Sequence, residues 1–305
     1  MRALGSRSAR LGRLILAVLP LVTPAAAHAQ GTSDPTVRDS SVGYIDPAYL
    51  ADQVRLRYDT SYHFDRPTRA EFFWPRGGPA GPGPARAESS VDYQDLSTYL
   101  EKRLGERVSG FVELPVRFLN PEVNDNAGGL GDVNAGFKVA LWRQDDFAAT
   151  FQLRTYFPSG DAGRGLGNDH YTLEPALLVY KSLGERCGVE GELRYWVPLD
   201  GTDFAGDIIR YGVGVHYDVY QTCNLKVVPV AELIGWTALG GRESVRQPSG
   251  AALVQSASGD TVVNVKVGCR FKVREWGDVY LGYGRPLTGD RWYENTYRVE
   301  FRLVY

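Results

Sequence analysis

A catalytic reading would have to start from the histidines, and they are few. Beyond residue 30 there are three: His63, His170 and His216. Nucleophilic catalysis needs a base within hydrogen-bond reach of its nucleophile, and no local spacing of serine or cysteine around these histidines marks such a pair. Asp161 and His170 fall in one loop region, so an Asp–His dyad there stays open. The three cysteines, Cys187, Cys223 and Cys269, and the separated histidines show no metal-ligand spacing. Gly160-Asp161-Ala162-Gly163 lacks the repeated acidic ligands of a calcium loop. The sequence therefore points to no catalytic residue, cofactor or metal. Its chemistry is ionic. Arg154, Glu174, Arg194 and Arg210 fall at similar heights on four successive predicted strands, each opposite an apolar face. Glu192, Lys266, Arg270, Arg298 and Glu300 take the same charged face elsewhere. Rings of charged side chains select ions in a pore. A carboxylate between arginines in a tight interior is instead a structural network. Three arginines against one glutamate would favour anions, unless carboxylates on other strands offset them. Both readings stand at this point.

The elements that carry these side chains are strands of period two. Tyr297, Val299, Phe301, Leu303 and Tyr305 fall on one face of the last nine residues, and Arg298, Glu300 and Arg302 on the other. Gln53–Phe64 repeats the pattern, with Val54, Leu56, Tyr58, Tyr62 and Phe64 opposite Arg55, Arg57, Asp59, Ser61 and His63. Further strands are predicted at Ser90–Arg103, from there to Leu119, at Gly131–Trp142, Phe147–Phe157, His170–Ser182, Cys187–Leu199 and Asp207–Tyr220. Three more follow the turn Gln221-Thr222-Cys223-Asn224, centre on Val263–Phe271, and span Asp278–Pro286. Poor alternation at Asp95-Leu96 predicts a bulge. The count is twelve. Long connections after odd strands alternate with tight turns after even ones. A closed antiparallel transmembrane β-barrel of outer-membrane type has this even count and this asymmetry, with short periplasmic turns and longer outer loops. Closure also removes the sheet edges that lipid could not satisfy. The longest connection, 65–89, centres on the proline- and glycine-rich Trp74–Pro84 and belongs outside the cell. Cys187 and Cys223 fall at periplasmic ends separated by one strand. Two strand spacings are about 10 Å, beyond the roughly 7 Å between Cα atoms that a disulfide allows; only a yielding turn at Cys223 would let them pair. Cys269 is placed toward lipid as a small apolar residue.

Residues 1–29 read as a signal peptide. Arg2, Arg7, Arg10 and Arg13 precede the apolar stretch Leu14–Val22, and Ala27-His28-Ala29 fits the cleavage pattern. Removing the four arginines takes the net charge from -2 to -6. That balance, without a basic patch, excludes nucleic acid as a partner. No later stretch is long and apolar enough for a membrane helix. Residues 30–52 are expected to form a periplasmic lead-in without a core of its own, and 53–305 the barrel.

Gly129-Leu130-Gly131-Asp132-Val133 opening a strand, followed after the next hairpin by Phe157-Pro158-Ser159-Gly160-Asp161, resembles an outer-membrane channel family linked to the meta-pathway of phenol degradation. The resemblance runs from about residue 105 to the C-terminus. It implies a barrel transporter or channel for small solutes, aromatic or other organic ones included, though the solute itself does not carry over. A twelve-stranded outer-membrane phospholipase has a similar architecture, but no histidine here has the serine two residues on that its motif uses. The expected function is passive diffusion through a narrow polar lumen. The alternative is a barrel plugged by side chains with a structural or surface role, and then an outer-membrane hydrolase. The expected partners are outer-membrane lipid, a small-molecule solute, and the barrel-assembly machinery, which would read the aromatic C-terminal strand.

Overall fold

The computed structural model describes residues 40–64, 83, 84, 86, 88–273, 277–289 and 291–305. The predicted signal peptide and nearly all of the loop 65–89 lie outside the described residues.

Twelve strands form one closed antiparallel wall: β1 Gln53–Phe64, β2 Val91–Arg103, β3 Val108–Pro121, β4 Asn134–Arg143, β5 Phe147–Tyr156, β6 Tyr171–Ser182, β7 Cys187–Leu199, β8 Ile208–Tyr217, β9 Leu225–Ala238, β10 Thr261–Val273, β11 Gly277–Pro286 and β12 Asn295–Val304. Each pairs with its sequence neighbours, and β12 returns to β1 from Gln53↔Val304 to Tyr62↔Asn295. The seam holds because both strands keep their charged and apolar faces in phase: Arg57 stands beside Glu300, Asp59 beside Arg298, and Leu56 beside Phe301. Side chains divide accordingly. Val267 is 47% exposed on the outside, while its neighbour Lys266 is 6% exposed within. Outer positions such as Leu193, Leu233, Leu281 and Phe301 present the same apolar surface, which is the face for lipid.

Local departures from the sequence reading have local causes. No bulge forms at Asp95-Leu96, where β2 runs in unbroken register against both neighbours. Asp95 meets Arg117 in the lumen at 2.8 Å, so the poor alternation reflects polar residues on both faces, not an extra residue. The irregularity lies between Ser61 and Phe64 instead. There His63 adopts a φ of 54° and leaves the lumen for the rim, 3.4 Å from Glu294 and 61% exposed. The loop expected at Asn120–Leu130 is partly strand: Ala127–Leu130 extends the β4 ladder on β3, and a one-residue register change at Gly131–Val133 separates the two stretches. The loop 238–258 carries a hairpin, Arg242–Arg246 with Ala252–Ser256. Tyr220–Gln221 forms a separate short pairing on β9 and does not extend β8. Cys187, Cys223 and Cys269 are all free thiols.

The largest difference concerns the lead-in. Its described part, residues 40–52, lies inside the barrel. Val42, Tyr44 and Ile45 are buried in one cluster with Val228, Val230, Ile234 and Tyr280 of the wall. Ala48 is buried with Ala148, Ala176, Leu178 and Tyr180. The segment rises from the end with the short turns, where Ser40 meets Arg302, turns among the mid-barrel charges at Gly43–Asp46, and descends to β1, where Tyr305 donates to Asp52 O.

An arginine at mid-bilayer on the lipid face costs roughly 2 to 4 kcal/mol. Val267→Arg is therefore expected to reduce the SDS-resistant folded fraction in outer membranes, and Lys266→Ala to reduce it far less. Equal losses from both would invert the assignment of faces.

Candidate functional site

The lumen is a charged interior organised around a carboxylate that the wall does not supply. Asp46 of the inserted segment accepts from Arg154 at 2.7 Å and from Arg194 at 2.8 Å, and lies 3.3 Å from Arg55. Three different strands aim these guanidinium groups inward because each falls on the lumen-facing half of its strand's alternation: Arg55 on β1, Arg154 on β5, Arg194 on β7. Arg154 is also 2.8 Å from Glu113 and 3.7 Å from Glu174. Arg194 bridges Glu174 at 2.5 Å and Glu192 at 2.8 Å. Arg210 lies 2.8 Å from Glu192. The band proposed from sequence thus comes together, and carboxylates match its arginines.

The remaining candidates gather in a second group toward the seam. Arg270 pairs with Asp278 and with Glu300, the latter at 3.0 Å; Glu300 also meets Arg57 at 3.1 Å. Arg298 holds Asp59 with two nitrogens, each at 2.7 Å. Lys266 stands 3.6 Å from the centre of the Tyr44 ring, and the Arg298 guanidinium 3.8 Å from it. Such placements are attractive because the ring face is negative.

Shape as well as charge fits the segment to the wall. Gly212 and Gly214 present their Cα atoms inward on β8. A Cβ added at Gly214 would lie 2.7 Å from Val42 Cγ1, and one at Gly212 3.3 Å from Ile45 Cγ1. Within the segment, a Cβ on Gly43 would lie 2.1 Å from Tyr280 Cε1, so no other residue fits there unless Tyr280 moves. Below this tip, Lys138 donates to Pro47 O at 3.3 Å and Thr150 to Ala48 O at 2.5 Å. Above it, toward the long loops, a cavity of about 170 Å³ remains. Tyr44 and Asp46 form its floor, and Asp59, Arg117, Arg210 and Tyr293 are among the residues of its sides.

Among the described residues the three histidines lie apart. His63 is at the rim. His216 is buried 3.5 Å from Glu190 and stacks on Tyr180. His170 Nδ1 lies 2.8 Å from Asn168 O. The two glycine-rich motifs do meet. Ser159 donates to Gly131 O and accepts from Val133 N, each at 2.8 Å, while Asp132 accepts from Gly160 N at 3.0 Å and Asn168 N at 2.8 Å. Side chains here replace the ladder bonds lost where β4 changes register.

Sequence reasoning missed Asp46, Glu190 and Glu232. The available signal was the pair Gly212 and Gly214 on the inward face of β8. A lumen-facing position without a side chain leaves room that something else must fill.

Removing one partner of a buried ion pair costs about 3 to 5 kcal/mol, because the other charge stays buried without it. Asp46→Ala is therefore expected to lower the urea midpoint of the detergent-solubilised barrel clearly more than Asp52→Ala at the rim. Equal midpoints for the two variants would mean that Asp46 does not anchor the segment.

The crystal structure of an outer membrane channel from Pseudomonas putida F1 superposes with a TM-score of 0.55 at 11% identity, covering 87% of this chain and 100% of that one. The NanC porin has a TM-score of 0.46 at 11% identity, covering 83% of this chain and 98% of that one. LpxR from Salmonella typhimurium has a TM-score of 0.46 at 12% identity, covering 83% of this chain and 100% of that one. Among curated proteins none matches the chain. The first likeness establishes the fold, a bacterial outer-membrane β-barrel. Residues 82–303 match a family model, and by that match the chain belongs to the family described as "Putative MetA-pathway of phenol degradation".

Proposed function

We propose that this barrel is an outer-membrane channel for small solutes, closed here by residues 40–52, and that solutes diffuse passively once the segment leaves. One observation carries the reading. The lumen is occupied by a piece of chain that precedes the first wall strand, seated against wall positions that lack side chains, Gly212 and Gly214. A barrel of about eight strands fills with its own side chains, and one of about sixteen leaves a water channel. Twelve lies between, and here a strap does what wall side chains would do in a solid barrel. Withdrawal of the strap would leave a polar bore lined by ion pairs. The family assignment and the channel from Pseudomonas putida F1 support this reading. The matched carboxylates around Arg154, Arg194 and Arg210 argue for weak charge selectivity, not for strong anion preference. Transport of this kind needs no covalent chemistry, and the scattered histidines support none. The aromatic C-terminal strand, paired with β1, is the element that the assembly machinery would read.

The ion pairs that Asp46 makes with the buried Arg55, Arg154 and Arg194 favour a second reading, a permanently plugged barrel with a structural role. A reversible lock separates the two. In a background with the native cysteines changed to serine, Ile45→Cys and Gly212→Cys are close enough to form a disulfide between segment and wall. The channel reading expects silent planar bilayers under oxidising conditions and conductance steps after reduction. Silence in both states would favour the permanent plug.

A further inference from the structure

The wall holds the inserted segment by its backbone. From Ser40 O to Tyr44 O, every main-chain polar group is bonded to a charged side chain of the barrel. Glu190 Oε1 accepts from Ser41 N at 3.0 Å and Val42 N at 3.3 Å. Glu232 accepts from Gly43 N at 2.9 Å and Tyr44 N at 3.0 Å. Arg302 donates to Ser40 O at 3.0 Å. Arg270 donates to Ser41 O at 2.9 Å and Val42 O at 2.8 Å. Arg298 donates to Gly43 O at 2.5 Å, and Arg210 to Tyr44 O at 2.7 Å. Consecutive N–H groups that converge on one anion make a nest. Two such nests follow one another here, with guanidinium groups on the carbonyls.

Buried backbone must be paired somewhere, and neutral partners would do this without burying ions. Ionised groups are costly to bury unless matched. The guanidinium groups are matched by wall carboxylates, while Glu190 lies 3.5 Å from His216 and Glu232 accepts from the Tyr280 hydroxyl at 3.3 Å. Arg270 and Arg302 share Asp278, Arg298 holds Asp59, and Arg210 faces Glu192. All of these are pairs between wall residues. The arginines of the array therefore keep their positions without the segment, and a preorganised site binds with less ordering cost. Side-chain demands are confined to a few places: no Cβ where Gly43 meets Tyr280, and apolar side chains against Gly214 and Gly212.

We propose that this array is a binding site for bent peptide backbone, occupied by the chain's own residues 40–44 as a stand-in ligand. Short peptides with a central glycine are the solute class it takes when the segment leaves. The proposal rests on the channel reading for how peptides would reach the site, but binding can be measured without conductance. The tethered segment competes at high effective concentration, so it must first be unseated. Gly43→Leu does this by driving a side chain into the Tyr280 ring while leaving the wall untouched. Should that variant fail to assemble, Val42→Asp combined with Ile45→Asp, which places charge against Gly214 and Gly212, serves the same measurement. The probe is a fluorescent, end-blocked peptide of residues 40–46, followed by anisotropy on the full-length variant in detergent and by block of conductance in bilayers. Saturable binding is expected. The same peptide N-methylated at the residues matching Gly43 and Tyr44 should bind at least about tenfold more weakly, since it loses two hydrogen bonds to a charged acceptor. Equal binding of the methylated peptide, or no binding of either to a folded variant, overturns the proposal. A variant that binds peptide but never conducts overturns the channel reading alone.

Discussion

Asp46 supplies the negative charge on which the closed lumen depends. Arg55, Arg154 and Arg194 come from strands far apart in the wall, and all three reach the same carboxylate. Wall residues neutralise part of this charge through Glu113, Glu174 and Glu192. The arrangement nonetheless converges on a residue that precedes β1. Barrel and segment are therefore one electrostatic unit. The wall sets the positions of the guanidinium groups, and the segment completes them. Steric fit follows the same division, with Gly212 and Gly214 opposite Val42 and Ile45.

Two solvents act on this chain and demand the same thing. Lipid outside and tight packing around residues 40–45 both keep water from the backbone groups. Toward lipid, strand pairing around the full circle meets the demand. Inside, the stretch before Asp46 pairs with no strand, and charged wall side chains meet its backbone instead. The register change in β4 is met a third way, with Ser159 and Asp132 taking the place of ladder partners.

Period-two alternation made the wall legible from sequence. It gave the closing pair β1 and β12, the twelve strands, and the inward direction of Arg154, Glu174, Arg194, Glu192, Lys266, Arg270 and Glu300, all buried in the structure. Alternation ends where side chains cease to choose between lipid and lumen. His63 illustrates this at the rim, where its backbone turns to a φ of 54°. Residues 40–52 illustrate it more fully. They have no periodicity, because they are surrounded on all sides by a wall distant in sequence. Their polar look, with Asp46-Pro47 at the centre, reads as an exposed linker. Only the inward glycines of β8 hinted that a lumen position had been left for another part of the chain.

The cost of opening is smaller than the cost of deleting Asp46, and the difference matters to function. Deletion leaves three buried guanidinium groups facing a missing partner. Withdrawal of the segment lets water follow it, so Arg55, Arg154, Arg194 and the carboxylate are all rehydrated as they part. The roughly 3 to 5 kcal/mol for a broken buried pair is therefore an upper bound on this electrostatic part of opening. Under the channel reading, ion pairs therefore suit a reversible closure. Water stabilises both ends of an ion pair when it opens, whereas a plug held only by apolar contact would gain nothing from the water that replaced it.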